Sequence, residues 1–178
     1  MEFFDLSLQG LKLIVPKIQQ DRRGKFLEIY RKNAFENAGI DACFLQENHS
    51  TSAKGTLRGM HYQLYPGQDK LVRVTSGRIY DVVVDMRPKS KTYKCWQGVY
   101  LDDEECKMLF IPTGFAHGFC VLSDSADVHY KVSSYYDPQT EKSFRYDDPE
   151  IAISWPVQYP ILSERDVSAP SFRHLVHA

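Results

Sequence analysis

A period of two runs through this chain, in short extended segments broken by turn residues from Leu11 to Tyr135. Successive side chains of an extended chain point to opposite faces, so this alternation is the signature of strands. The clearest pair is Lys70–Val74 and Ile79–Asp85, separated by Ser76-Gly77, which predicts a hairpin of β-branched, largely buried strands. Further strands are predicted over Leu11–Val15, Phe26–Tyr30, Cys43–Ser50, Thr56–Tyr62, Tyr93–Leu101, Cys106–Ile111, His117–Val121 and Val128–Tyr135. Turn-forming residues separate them at Asp21–Gly24, Tyr65–Gln68, Arg87–Lys91 and Asp102–Glu104. Many short strands at regular spacing predict an all-β sandwich or closed barrel. Helix is confined to two turns over Arg31–Ala38, ended by Gly39, and a weak stretch at Ser163–Val167. With 178 residues, 43% of them hydrophobic, and no linker or internal repeat, the chain is predicted to form one domain over 1–178.

A formal net charge of -1 provides no global field for nucleic acid or an anionic membrane, so neither is an expected partner. Any anion must be held by a local cluster of cations. The four cysteines, Cys43, Cys95, Cys106 and Cys120, form no CxxC pair and read as reduced thiols of a cytoplasmic protein. The opening Met1-Glu2-Phe3-Phe4-Asp5 lacks the basic and apolar regions of a signal peptide, and no apolar run approaches a membrane span.

Chemistry concentrates in two histidine-bearing segments. Gly55-Thr56-Leu57-Arg58-Gly59-Met60-His61-Tyr62-Gln63 is followed at once by Lys70-Leu71-Val72-Arg73-Val74, and Pro112-Thr113-Gly114-Phe115-Ala116-His117 delivers a second histidine from a turn. Histidine is often a partly buried structural residue. Its pKa near neutrality also makes it the default general base. In a regular strand Arg58 and His61 face opposite sides, so lining one cavity together requires a bulge or twist at Gly55 or Gly59. Lys70 reads either as a solvated strand-end cation or as an ammonium placed to neutralise an oxyanion formed by proton abstraction beside a carbonyl. Asp81, inside an apolar strand, needs a partner. Asp166 is close enough to the C-terminus to fold back over a cavity. Either could orient a histidine. A metal at His61 and His117 would want another histidine two residues after His61, but that place holds Gln63, a poor ligand for transition metals. Tyr130, Tyr135 and Tyr136 read as core aromatics, or as a phenol placed to protonate a carbanion opposite a base. Asp21-Arg22-Arg23-Gly24-Lys25-Phe26-Leu27-Glu28 is a basic turn whose cations, aromatic and carboxylate also suit a diphosphate and a base ring.

Taken in order, these motifs resemble the dTDP-4-dehydrorhamnose 3,5-epimerase family from about Leu11 to Pro170. The motifs are Gln46-Glu47-Asn48-His49-Ser50, Leu57–Gln63, Lys70–Val74, Ile111–Phe119, Tyr130-Lys131 with Tyr135-Tyr136 and Pro138, and Leu162-Ser163 with Asp166. The resemblance implies a cupin or jelly-roll β-barrel with a few short peripheral helices. It also implies His61 as general base oriented by Asp166, Lys70 on the enolate oxygen, and Tyr130 as general acid. Arg23, Glu28, Gln46, Asn48, Arg58, His117, Glu141 and Arg165 fall on nucleotide-sugar contacts, with Phe26 and Tyr136 flanking the base. The family implies no metal, no organic cofactor, a dTDP-sugar substrate, and a homodimer whose N-terminal segments cross between subunits. Departures are Glu47 for a common aspartate, Arg165 for a frequent lysine, and Lys25 for a frequent aromatic. Three other readings stand beside this one: an epimerase acting at C3 only, a metal-dependent cupin, and a non-catalytic sugar-nucleotide binding module.

Overall fold

The computed structural model describes residues 1–175, so the last three positions of the expected 1–178 domain lie outside the described residues. In chain order the elements are β1 (Glu2–Asp5), β2 (Lys12–Val15), β3 (Ile18–Asp21), β4 (Gly24–Leu27), α1 (Lys32–Asn37), β5 (Gln46–Ala53), β6 (Leu57–Gln63), β7 (Lys70–Ser76) and β8 (Arg78–Asp85). They continue as β9 (Trp96–Asp102), β10 (Met108–Ile111), β11 (Phe115–Val121), β12 (Ser125–Val132), β13 (Glu141–Ser143) and α2 (Glu164–Val167), with a final 3-10 turn at Phe172–His174. Two antiparallel sheets face each other, one of order β1-β2-β10-β7-β12-β5 and one of order β13-β6-β11-β8-β9. The strands β3 and β4 form a separate two-stranded ribbon. This is the all-β sandwich expected from the pattern, in the cupin-like form that the resemblance implies.

One expectation fails. β7 and β8 do not pair: β7 lies between β10 and β12, whereas β8 lies between β11 and β9 in the other sheet. The turn at Gly77 carries the chain from one sheet to the other. It has φ 81°, and a Cβ there would sit 2.2 Å from the Ser125 carbonyl oxygen, so only glycine fits the crossing. Both segments are apolar because both faces of their sheets are covered. Val83 points between the sheets with Val72, Leu109 and Phe119. Val82 and Val84 point outward, under Phe144, Ile151 and Phe172 of the C-terminal segment. On the far side, Phe35 of α1 covers Leu71, Met108 and Phe110 of the six-stranded sheet.

Other boundaries move by a few residues. The predicted Phe26–Tyr30 strand is β4, ending at Leu27, and the predicted Cys43–Ser50 strand begins at Gln46 and runs on to Ala53. β1, β3 and β13 were not legible as strands. Among the described residues no helix is long and apolar enough to cross a membrane.

Candidate active site

The site opens where β5, an edge of one sheet, and β6, near the edge of the other, diverge. On β6, His61 stands opposite His117 of β11. The next pair is Arg58 with Phe119, so three steps along β6 match two along β11. The extra residue is a bulge. Gly59 absorbs it with φ 133°, pressed so close to β11 that a Cβ would lie 2.5 Å from Gly118 Cα. The bulge brings Arg58 and His61 onto one cavity, as the sequence required, and Gly59 rather than Gly55 supplies it.

That cavity, of about 390 Å³, is lined by Asn48, Ser50, Arg58, His61, Gln68, Lys70, His117, Phe119, Tyr130, Tyr136, Glu141, Ser163, Arg165 and Asp166. Its volume falls in the range usual for small-molecule sites. Two histidine–carboxylate pairs face it. His61 Nε2 lies 2.6 Å from Asp166 Oδ1, and Asp166 is 4% exposed. Ser163 caps α2 and ties Asp166 at two points, accepting its backbone N–H at 3.1 Å and donating its hydroxyl to carboxylate Oδ2 at 2.9 Å. Burial alone would raise the Asp166 pKa, but the hydrogen bond and charge of His61, with Ser163, hold it below the usual carboxylate range. With Nε2–H donated to the carboxylate, Nδ1 of His61 carries the ring's lone pair.

The second pair is His117 with Asp81, which is fully buried. His117 Nε2 lies 2.8 Å from Oδ2 and 3.0 Å from Oδ1. Asp81 therefore partners His117 rather than His61. Lys70, the first residue of β7, is 8% exposed, and burial lowers its pKa to about 8 against the opposing pull of Glu141 and Asp81. Tyr130 of β12 stands opposite Asn48 of β5. Burial, then the Glu141 charge, raise the Tyr130 pKa, while Arg58 and a hydrogen bond with Asn48 oppose the rise. The cavity thus holds a neutral phenol, a buried ammonium and an imidazole backed by a carboxylate.

Of the predicted contacts, Asn48, Arg58, His117, Tyr136, Glu141 and Arg165 line this cavity. Arg165 forms an ion pair of 2.6 Å with Glu141. Gln46 stands beside the cavity, donating to Asn48 Oδ1 at 2.8 Å and accepting the Tyr136 N–H at 3.1 Å. Tyr136, Glu141 and Arg165 also border a second depression of about 750 Å³, shared with Tyr62, Leu64 and Pro138. Arg23, Phe26 and Glu28 do not reach the cavity of their own chain. They lie on and beside the β3–β4 ribbon, around other surface depressions. There Arg23 pairs with Asp21, Glu28 pairs with Arg31, and Phe26 is 71% exposed. Ser50, Gln68, Phe119 and Ser163 line the cavity without having been singled out from the sequence. For Ser50 a signal existed: it follows Gln46 and Asn48 at strand spacing. Gln63 donates to the Tyr135 carbonyl at 3.3 Å. Among the described residues no group of three or more His, Cys, Asp and Glu side chains is arranged to hold a metal ion.

Residues 5–174 match the family model described as dTDP-4-dehydrorhamnose 3,5-epimerase. The chain is 46% identical over 173 residues to the dTDP-4-dehydrorhamnose 3,5-epimerase of Neisseria gonorrhoeae, covering 97% of this chain and 53% of that one. The chain therefore spans about half the length of that relative. It is 42% identical over 171 residues to the dTDP-4-dehydrorhamnose 3-epimerase of Streptomyces niveus, covering 95% of this chain and 83% of the relative. Among solved structures it superposes with a TM-score of 0.95 on dTDP-6-deoxy-D-glucose-3,5-epimerase from Legionella pneumophila, crystallised with dTDP-4-keto-L-rhamnose. That pair is 43% identical, and the match covers 98% of this chain and 94% of the other.

Proposed function

Because the chain belongs to the dTDP-4-dehydrorhamnose 3,5-epimerase family, we propose that it inverts C3 and C5 of dTDP-4-keto-6-deoxyglucose, giving dTDP-4-keto-rhamnose for deoxysugar synthesis. One observation carries the reading: the His61–Asp166 pair, at 2.6 Å, opens onto the same cavity as the Lys70 ammonium and the Tyr130 phenol.

The C4 ketone acidifies the hydrogens on both neighbouring carbons. His61 Nδ1 takes one of these protons, and the Asp166 carboxylate stabilises the imidazolium that results. The electron pair moves onto the ketone oxygen as an enolate. Lys70, buried and positively charged below about pH 8, neutralises that oxygen in a site shielded from water. Tyr130 keeps its proton because burial raises its pKa, and it delivers that proton to the opposite face of the carbanion. No metal or organic cofactor enters these steps.

Asn48, Gln46, Arg58, His117, Glu141 and Arg165 hold the nucleotide sugar, and Tyr136 stacks on the base. Arg23, Glu28 and the exposed ring of Phe26 join them from a second copy in a cytoplasmic homodimer. The support for this is that the ribbon holds these three residues away from the cavity of their own chain. Epimerisation at C3 alone is the second reading, favoured by the similarity to the Streptomyces niveus 3-epimerase.

Proton NMR of the purified protein with dTDP-4-keto-6-deoxyglucose in D2O separates them. Deuterium at both C3 and C5 is expected. Deuterium at C3 alone selects the second reading. No exchange while dTDP still binds overturns both and points to a different sugar or to a binding module, for which His61→Ala would be silent.

A further inference from the structure

We infer that Asp69 is a positioning residue: its carboxylate clamps the strand end that carries Lys70 and so holds the ammonium where the enolate oxygen forms. Lys70 is the first residue of β7, paired with Ile111 of β10 on one side and Val132 of β12 on the other. The ends of elements are where a fold opens most readily. Beyond Ile111 comes Pro112, which has no N–H with which to continue the ladder. The Asp69 side chain supplies the missing tie. Its Oδ1 accepts the Thr113 N–H at 2.7 Å and the Thr113 hydroxyl at 3.0 Å. On the β12 side Asp69 is held through its main chain. Its N–H donates to Ser133 Oγ at 2.8 Å, and its carbonyl accepts the Ser133 N–H at 3.1 Å. Both neighbours of β7 are thus fastened one residue beyond Lys70.

The turn leading into Asp69 is secured to the same two segments. A Cβ on Gly67 would sit 2.1 Å from Thr113 Cγ2, so the two turns are in close contact. Ser134 donates its hydroxyl to the Gly67 carbonyl, and Gln68 donates Nε2 to the Ser134 carbonyl, each at 2.9 Å. Gln68 and Lys70 line the cavity, whereas Asp69 and Thr113 do not. Asp69 therefore acts through its neighbour rather than on the substrate. The carboxylates that bear on the Lys70 charge are Glu141 and Asp81. What Asp69 governs is where that charge sits, and a displacement of about 1 Å can cost about 100-fold in rate. The role so assigned rests on the reading of Lys70 as the group that meets the enolate oxygen.

Asp69→Ala and Asp69→Asn test it, because asparagine keeps an acceptor oxygen while losing the charge. Alanine should lower kcat roughly 10- to 100-fold. It should leave the Kd for dTDP, measured by calorimetry, unchanged, since dTDP has no C4 oxygen for Lys70 to meet. Asparagine should restore most of kcat. In a Lys70→Met background Asp69→Ala should cost little more, the mark of two residues that act as one. A parent-like kcat in the alanine variant overturns the assignment. So does a joint loss of kcat and dTDP binding, which marks a general structural role, or an asparagine variant as slow as alanine. An undiminished effect in the Lys70→Met background overturns it as well. Absent deuterium exchange in the parent, or a near-normal kcat for Lys70→Met alone, would defeat the underlying reading of Lys70 and the clamp with it. A slow Lys70→Met beside a parent-like Asp69→Ala would defeat the clamp alone.

Discussion

Lys70 couples activity and stability in opposite directions across one range of pH. Its ammonium is almost fully removed from water, and burial lowers its pKa from 10.5 to about 8 in spite of Glu141 and Asp81. At 1.36 kcal/mol per pH unit, the charged form is disfavoured in the folded protein by about 3 kcal/mol. The folded pKa lies below the unfolded one. Between pH 8 and 10.5 the unfolded chain therefore holds a proton that the folded chain has shed, and this group's contribution to stability rises with pH. Below about pH 8 the full cost is borne, in return for a cation where the enolate oxygen forms. The kcat/KM profile, which reports the free enzyme, should fall along an alkaline limb near pH 8 while the protein becomes no easier to unfold. Lys70→Met, of similar shape and uncharged, should lower kcat about 100- to 1,000-fold. At pH 7 it should raise the melting temperature by roughly 6–12 °C at most, the scale of about 3 kcal/mol in a domain of this size. An alkaline limb above about pH 9.5, or a Met variant less stable than its parent, would refute the reasoning.

Two other substitutions probe the same architecture. Asp81→Asn removes a buried negative charge that supports the Lys70 ammonium, so the alkaline limb of kcat/KM should move to lower pH; an unmoved limb would show that the two groups do not communicate. Gly59→Ala should destabilise the fold by more than about 2 kcal/mol, because its Cβ would press on Gly118 Cα at a φ that L residues avoid. Thermal unfolding reads that loss, and a melting temperature within a degree or two of the parent would contradict the packing described.

Much of this site was legible because its chemistry depends on residue types. An imidazole, an ammonium and a phenol in strand-like segments, with Asp166 near the end of the chain, suggest proton transfer before any fold is known. The conflict between Arg58 and His61 on a regular strand even predicted a bulge and narrowed it to two glycines. What escaped was partner choice. Nothing in the spacing assigns Asp81 to His117, since the bond joins β8 to β11 and depends on the order of strands within a sheet. The hairpin between β7 and β8 was misread for a related reason. A glycine turn between two apolar strands looks the same whether the chain folds back within a sheet or crosses to the facing one. β13 has only three residues, with no apolar alternation to betray it. The places of Arg23, Phe26 and Glu28 were invisible because the ribbon carrying them belongs to neither sheet.

The crossing at Gly77 also bears on how such a chain reaches its native state. Only β1–β2, β3–β4 and β8–β9 join strands adjacent in sequence, and every other pairing among the described residues closes a long stretch of chain. Loop-closure entropy must be spent before those distant contacts repay it, which places the refolding of such sandwiches at about milliseconds to seconds. The His61–Asp166 bond spans 105 positions and depends on a segment that packs onto the outside of a finished sheet. Recovery of turnover after dilution from denaturant should therefore trail recovery of β-sheet circular dichroism, making activity a reporter of the last docking event rather than of sheet formation.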